Sequence, residues 1–210
     1  MVRPATGWRE RVELERRLVH ASGTAYPVPY LLDWISWVET AALLVASVVV
    51  VAILEFLRLV VGLDHPVYRA LTREYETDAV AGYALYQVGM AGTALLATTA
   101  VTTPTLAVPA MWMLSVGDPV SGALSDNGPR EPKRPRVWVA MFAVCVAVAL
   151  PFVVPAFGQT AGVAVAVVGA AGATVADGLP PVIRGGAADD TLTMPPVAVV
   201  GMTAAATVVV

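Results

Sequence analysis

Residues 137–157, VWVAMFAVCVAVALPFVVPAF, contain no charged side chain and no polar one stronger than tryptophan or cysteine. A helix that crosses the roughly 30 Å hydrocarbon core of a bilayer needs about 20 such residues. The stretch that follows, TAGVAVAVVGAAGATVADG (residues 160–178), is again apolar until Asp177. Two membrane-length apolar runs separated by so short a connection set the class: an all-α, polytopic transmembrane helix bundle. The composition agrees. Hydrophobic residues make up 57% of the 210 and charged residues only 14%, against roughly a quarter in soluble domains. Mean hydropathy is +0.71.

Working outward from this pair gives seven expected membrane segments, at about 18–34, 40–61, 79–97, 104–117, 137–157, 160–179 and 194–210. They form one transmembrane domain, 18–210, preceded by a polar arm, 1–17. The arm is charged and has no early apolar core, so no cleavable signal peptide is expected. Gly162, Gly169 and Gly172 in the sixth segment read as small residues that let helices approach closely in lipid.

Charge orders the segments. With seven spans, all 13 Lys and Arg fall on one side: the arm, the 58–78 region, the 118–136 loop and Arg184. Asp33 and Glu39 lie on the other. Positive charge accumulates on the cytoplasmic side, which predicts a multi-pass cell-membrane protein with a cytoplasmic N-terminus. Trp34 and Trp37 are then expected at the outer interface and Trp138 at the inner one. The net charge is −3, with no basic patch of the kind nucleic-acid polymers require. The single Cys145 lies within an apolar run, leaving neither a disulfide nor a cysteine metal site.

The same topology gathers polar residues at the cytoplasmic face: Asp118, Asp177, Glu55 with Arg58, and Asp189 with Asp190. Ionisable groups near apolar segments are costly and face one another or a polar cavity. Glu55 and Arg58, spaced i,i+3, read either as a structural ion pair or as part of a site. SVGDPVSGALSDNGPREPKRPR (residues 115–136) offers what a nucleoside triphosphate requires. Asp118 can hold Mg²⁺. Ser121, Ser125 and nearby glycines admit phosphate, and Lys133, Arg134 and Arg136 can offset phosphoryl charge. No Walker-type P-loop is present. On these residues alone, Gly-Asp-Pro reads first as a capped turn and KRPR as a lipid-headgroup anchor.

Five ordered fragments carry a family resemblance. ELERRLVH (Glu13 to His20) resembles the E-x-x-R-K-x-x-H opening of the dolichol kinase and phytol kinase family of membrane-embedded, CTP-using lipid kinases. EFLR, followed by LTREYETDAVAGYALYQVG, resembles that family's second segment and loop. SVGDPVSGALS is similar to its Gly-Asp segment, PREPKRPR stands in the place of its basic nucleotide loop, and VADGLPPVIRGGAADDTLTMPPVA resembles its closing motif. Ser125 stands where the family usually has Gly, Thr191 replaces the Asn of Asp-Asp-Asn-Leu, and Asp177 stands where Glu is common.

The resemblance implies CTP-dependent phosphorylation of a long isoprenoid alcohol, such as dolichol or another polyprenol, at the cytoplasmic face. It implies Mg²⁺ on Asp118, Asp189 and Asp190, with Gly117, Ser121, Lys133, Arg134 and Arg17 around the nucleotide. Asp118, Asp190 and His20 are the expected catalytic residues, the imidazole being suited to accept the hydroxyl proton. The expected partners are the bilayer, the alcohol and CTP. Two alternatives stand beside this reading. One is a CTP-dependent lipid-phosphate cytidylyltransferase, of the CDP-archaeol or CDP-diacylglycerol synthase kind, whose usual C-terminal Ser-to-basic motif is not found here. The other is a small transporter or scaffold, which predicts midplane charges and an inverted repeat.

Overall fold

The computed structural model describes residues 14–73, 76–126, 131–179, 182–183, 186–187 and 190–209. Among these the chain is an all-helical bundle, apart from a two-residue antiparallel ladder, Val182–Ile183 (β1) on Gly186–Ala187 (β2). Four helices are long and apolar enough to cross a membrane: α3 (Trp37–Leu59), α8 (Pro135–Phe157), α9 (Gln159–Gly178) and α10 (Asp190–Val209). At 1.5 Å per residue each is about 30–35 Å long. Their outward faces carry exposed Val, Leu, Ile and Phe, such as Val49, Ile53, Phe56, Val139 and Val200, a surface suited to a lipid surround.

The other expected segments take different forms. Residues 18–34 are not one rod: α1 (Leu14–Ser22) passes into a 3-10 turn, Gly23–Ala25, and a single-turn α2 (Val28–Leu31). Pro27 and Pro29 lack the N–H groups a continuous ladder needs. The 17/18 boundary expected between arm and domain falls inside α1. After the short α4 (Pro66–Leu71), α5 (Gly82–Leu96) has 15 residues, about 22 Å, short of the hydrocarbon core. The fourth segment runs on past its expected end: α6 (Pro104–Trp112), a π-helical turn Met113–Gly117 and α7 (Asp118–Leu124) follow without a break.

Hydrogen bonds fix which ends meet. Ser36 caps α3 reciprocally with Glu39: Glu39 N–H donates to Ser36 Oγ (3.3 Å), and Ser36 N–H to Glu39 Oε2 (2.7 Å). Such a box satisfies two donors that the first turn leaves over. Next to it, Trp37 Nε1 donates to Ala94 O at 3.0 Å, joining the start of α3 to the end of α5. Trp37 is therefore buried against α5, while Trp34 is exposed. Thr102 and Thr203 pair at 2.7 Å at the same end. At the opposite end Thr191 Oγ1 donates to Gly82 O at 3.4 Å, joining the starts of α10 and α5. The elements and loops at this second end carry every described Lys and Arg.

The glycines of α9 pack as expected. A Cβ on Gly162 would lie 2.7 Å from Val153 O, and one on Gly169 2.3 Å from Met202 Cγ. Met90, Met111, Met113, Met141, Met194 and Met202 are fully buried, and their flexible side chains fill the irregular space between crossing helices.

The Glu55–Arg58 pair resolves as a structural knot. Arg58 Nε and Nη2 donate to the two Glu55 oxygens at 3.0 and 2.7 Å. Tyr83 OH and Ala81 N–H also donate to that carboxylate. Arg58 further donates to the carbonyls of Glu76, Thr77 and Ala79. Every strong acceptor and donor of the pair is consumed internally, which ties α3 to the loop entering α5.

Candidate functional site

The site begins with a proline. Pro119 has no N–H to give to Ser115 O, and in a regular helix its ring would press on that carbonyl. The helix accommodates it by widening to a π turn over Met113–Gly117. Such single wide turns concentrate at functional positions. Immediately after it stands Asp118, first residue of α7.

His20 of α1 holds Asp118, with Nδ1 2.6 Å from Oδ2. The His20 ring stacks on Tyr86 of α5 at 4.7 Å. Tyr86 OH donates to His20 O at 2.9 Å and shares a hydrogen bond with Ser115 Oγ at 2.7 Å. The backbone comes so close that a Cβ on Gly23 would lie 1.7 Å from the Tyr86 hydroxyl. Arg17 Nη2 donates to Gly122 O at 2.7 Å, locking α1 onto α7.

Asp177, in the last turn of α9, is buried. Ser121 Oγ donates to its Oδ2 at 2.7 Å, and Lys133 Nζ donates to its Oδ1 at 2.6 Å. Lys133 Nζ also reaches Ser121 Oγ at 3.0 Å and Asp190 Oδ2 at 3.6 Å. Its backbone N–H donates to Gly178 O at 3.2 Å, which pins the loop before α8 to the end of α9. Gly178 is obligatory there, since a Cβ would fall 2.3 Å from Trp138 Cε2.

Asp118, Asp177 and Asp190, from α7, α9 and α10, thus converge, each offering an oxygen within 4.8 Å of the others. Burial pushes the Asp118 carboxyl upward, but the His20 hydrogen bond and the charges of Lys133 and Arg16 help to hold it down at about 2. Burial likewise works against the Lys133 ammonium, and the three aspartates outweigh it, raising its pKa. Lys133 therefore stays a cation and Asp118 a carboxylate across the neutral range.

Three ionised or ionisable carboxylates around one point are a hard-oxygen donor set, which suits Mg²⁺. Around one such ion the oxygens lie roughly 3–4 Å apart, so the three side chains need only small adjustments to share it. The residues present fit a divalent cation.

Most expected site residues gather here: Asp118, His20, Asp190, Ser121 and Lys133 meet directly, and Arg17 lies one contact away. Asp189 lies outside the described residues. Gly117 departs from expectation. It is buried, and a Cβ there would lie 2.7 Å from Met141 Cε, so it serves the approach of α7 to α8 rather than a ligand. Arg134 and Arg136 are exposed and pair with Asp126 at 2.9 and 3.2 Å, at the surface. Arg16, Tyr86 and Ser115 belong to the site without having been expected as members. Asp177 was expected in the polar cluster at this face, but not as a metal ligand.

Comparison with protein-family models, with curated proteins and with solved structures finds no match for this chain.

Proposed function

We propose that this protein is a CTP-dependent kinase of a long-chain isoprenoid alcohol, with Mg²⁺ held by Asp118, Asp177 and Asp190. One observation carries the reading. Four of the five fragments that resemble the lipid-kinase family contribute side chains to a single point: His20, Asp118 with Ser121, Lys133, and Asp177 with Asp190. The remaining fragment supplies Tyr86, on which His20 stacks. Ion pairing alone needs no third carboxylate there, whereas a divalent cation has a use for one.

The chemistry follows from the residues. A lipid alcohol keeps its tail among the apolar helices and brings its hydroxyl to the charged end of the bundle. In this reading that end faces the cytoplasm, in line with the accumulation of Arg and Lys there. The bound Mg²⁺ supplies charge neutralisation for the triphosphate. Lys133, with Arg16 beside Asp118, adds positive charge for the transferring phosphoryl group. Asp118 fixes the His20 ring through Nδ1. Nε2 is buried with no hydrogen-bond partner and is the nitrogen left to accept the hydroxyl proton.

The test uses purified protein in lipid with Mg²⁺, γ-labelled CTP and a panel of isoprenoid alcohols. Label entering the lipid supports the kinase. Pyrophosphate release with a lipid phosphate, and no labelled lipid, replaces it with a cytidylyltransferase. Neither reaction leaves a transporter or scaffold.

A further inference from the structure

Lys133 occupies an unusual place for a residue meant to meet a nucleotide. Its side chain is only 15% exposed, and the ammonium lies 2.6 Å from Asp177 and 3.6 Å from Asp190. Those are two of the three carboxylates that fit a divalent ion, and the third, Asp118, acts on the same ammonium through its charge. An ammonium and a divalent ion cannot both sit among three oxygens held within 4.8 Å of one another. At such separations, like charges repel by several kcal/mol even at an effective dielectric constant near 20. A triphosphate changes the balance, because it offers Lys133 another set of anionic oxygens.

We propose that Lys133 is the resident cation of the carboxylate cluster and gives way to a divalent ion when a nucleoside triphosphate arrives to take the ammonium. The inference rests on the metal-site reading above and adds an order to it: the metal enters with the nucleotide rather than before it. The lysine's tether allows the exchange. Its backbone is held to Gly178 O, and rotation about the bonds of the four-carbon side chain would carry the ammonium from the cluster to a phosphate without moving that anchor. With the ammonium in place, the cluster keeps its carboxylates from repelling one another until substrate binds.

The experiment measures Mn²⁺ binding by its paramagnetic resonance signal, on the full chain in nanodiscs, without nucleotide and with the β,γ-methylene analogue of CTP. Lys133→Met removes the resident charge, Lys133→Arg keeps it, and Asp118→Asn removes a ligand. Without nucleotide, Lys133→Met is expected to bind Mn²⁺ at least about tenfold more tightly than wild type, and Lys133→Arg to match wild type. With the analogue, wild type gains affinity for Mn²⁺ and Lys133→Met gains little. If Lys133→Met does not fold, Lys133→Gln keeps a donor for Ser121 and Asp177 and carries the same expectation. Should the lysine variant bind free Mn²⁺ no better than wild type while Asp118→Asn abolishes binding, the exchange is refuted and the metal site stands. Mn²⁺ binding indifferent to Asp118→Asn refutes both.

Discussion

Asp118→Asn separates a structural aspartate from a functional one, and the geometry sets the expected magnitudes. The substitution keeps shape and hydrogen-bonding capacity, so His20 retains a partner at the position of Oδ2. What is lost is charge. The His20 contact loses its ionic character, a cost of about 1–2 kcal/mol. Against this, Asp118 shares the cluster with Asp177 and Asp190 at no more than 4.8 Å. Each such like-charge pair repels by about 3 kcal/mol at an effective dielectric constant of 20, and removing one charge relieves two pairs. Lost attraction to Lys133 and Arg16 outweighs that gain, because the surroundings hold the Asp118 carboxyl below its ordinary value and so favour its charge on balance. The net effect on folding is mildly destabilising. On the proposed mechanism phosphoryl transfer, in contrast, would lose a metal ligand and the group that orients His20, and kcat/KM should fall by about a thousandfold or more. The assay pairs a thermal-shift measurement in lipid with transfer of label from γ-labelled CTP. A protein that is fully active removes Asp118 from the mechanism. One whose loss of activity only matches its loss of folded protein returns it to a purely structural role.

Glu55→Gln should lower stability by about 3–5 kcal/mol, because Arg58 would be left partly buried without its counter-charge; denaturation in mild detergent reads this, and an unchanged midpoint would show that the knot carries no net stability. Gly178→Ala should destabilise by about 1–3 kcal/mol through the clash with Trp138, and should lower activity in proportion by displacing the Lys133 anchor; a Tm equal to wild type would mean the indole moves aside freely. Topology is read by single cysteines in a Cys145→Ala background, tagged from outside intact cells: Thr99→Cys should label and Ser125→Cys should not, and the reverse pattern would overturn the orientation.

The parts of this fold that can be read from sequence are those on which lipid imposes a length. α3, α8, α9 and α10 announce themselves because an apolar run near 20 residues long has few other uses. Residues 18–34 have the composition of a span but not its continuity, and only the spacing of Gly23, Pro27 and Pro29 hints at the breaks. α5 stops short at Leu96 for a reason composition does not express: its Gly82 end is built into the Glu55 knot and its Ala94 end onto Trp37. The site divides the same way. Asp118, Lys133 and Asp190 are conspicuous as polar residues bordering apolar runs. Tyr86 is not, because one of the two tyrosines in GYALYQVG gains meaning only when α1 packs across α5 and lays His20 on its ring. Gly117 misled for the opposite reason, since proximity in sequence to Asp118 says nothing about which way a helical position points.

The wide turn before Asp118 has a consequence for how this molecule can change. Each residue of an α-helix advances the azimuth by about 100°, so the extra residue housed at Met113–Gly117 sets the compass bearing of everything after it. A chain that lost one residue from that turn would keep its apolar length, its place in the bilayer and most of its contacts. Its aspartate, however, would point a quarter-circle or more away from His20. Membrane residence and chemistry are therefore recorded separately along this one rod: the first tolerates drift, while the second hangs on a single miscounted turn, kept miscounted by the proline that follows.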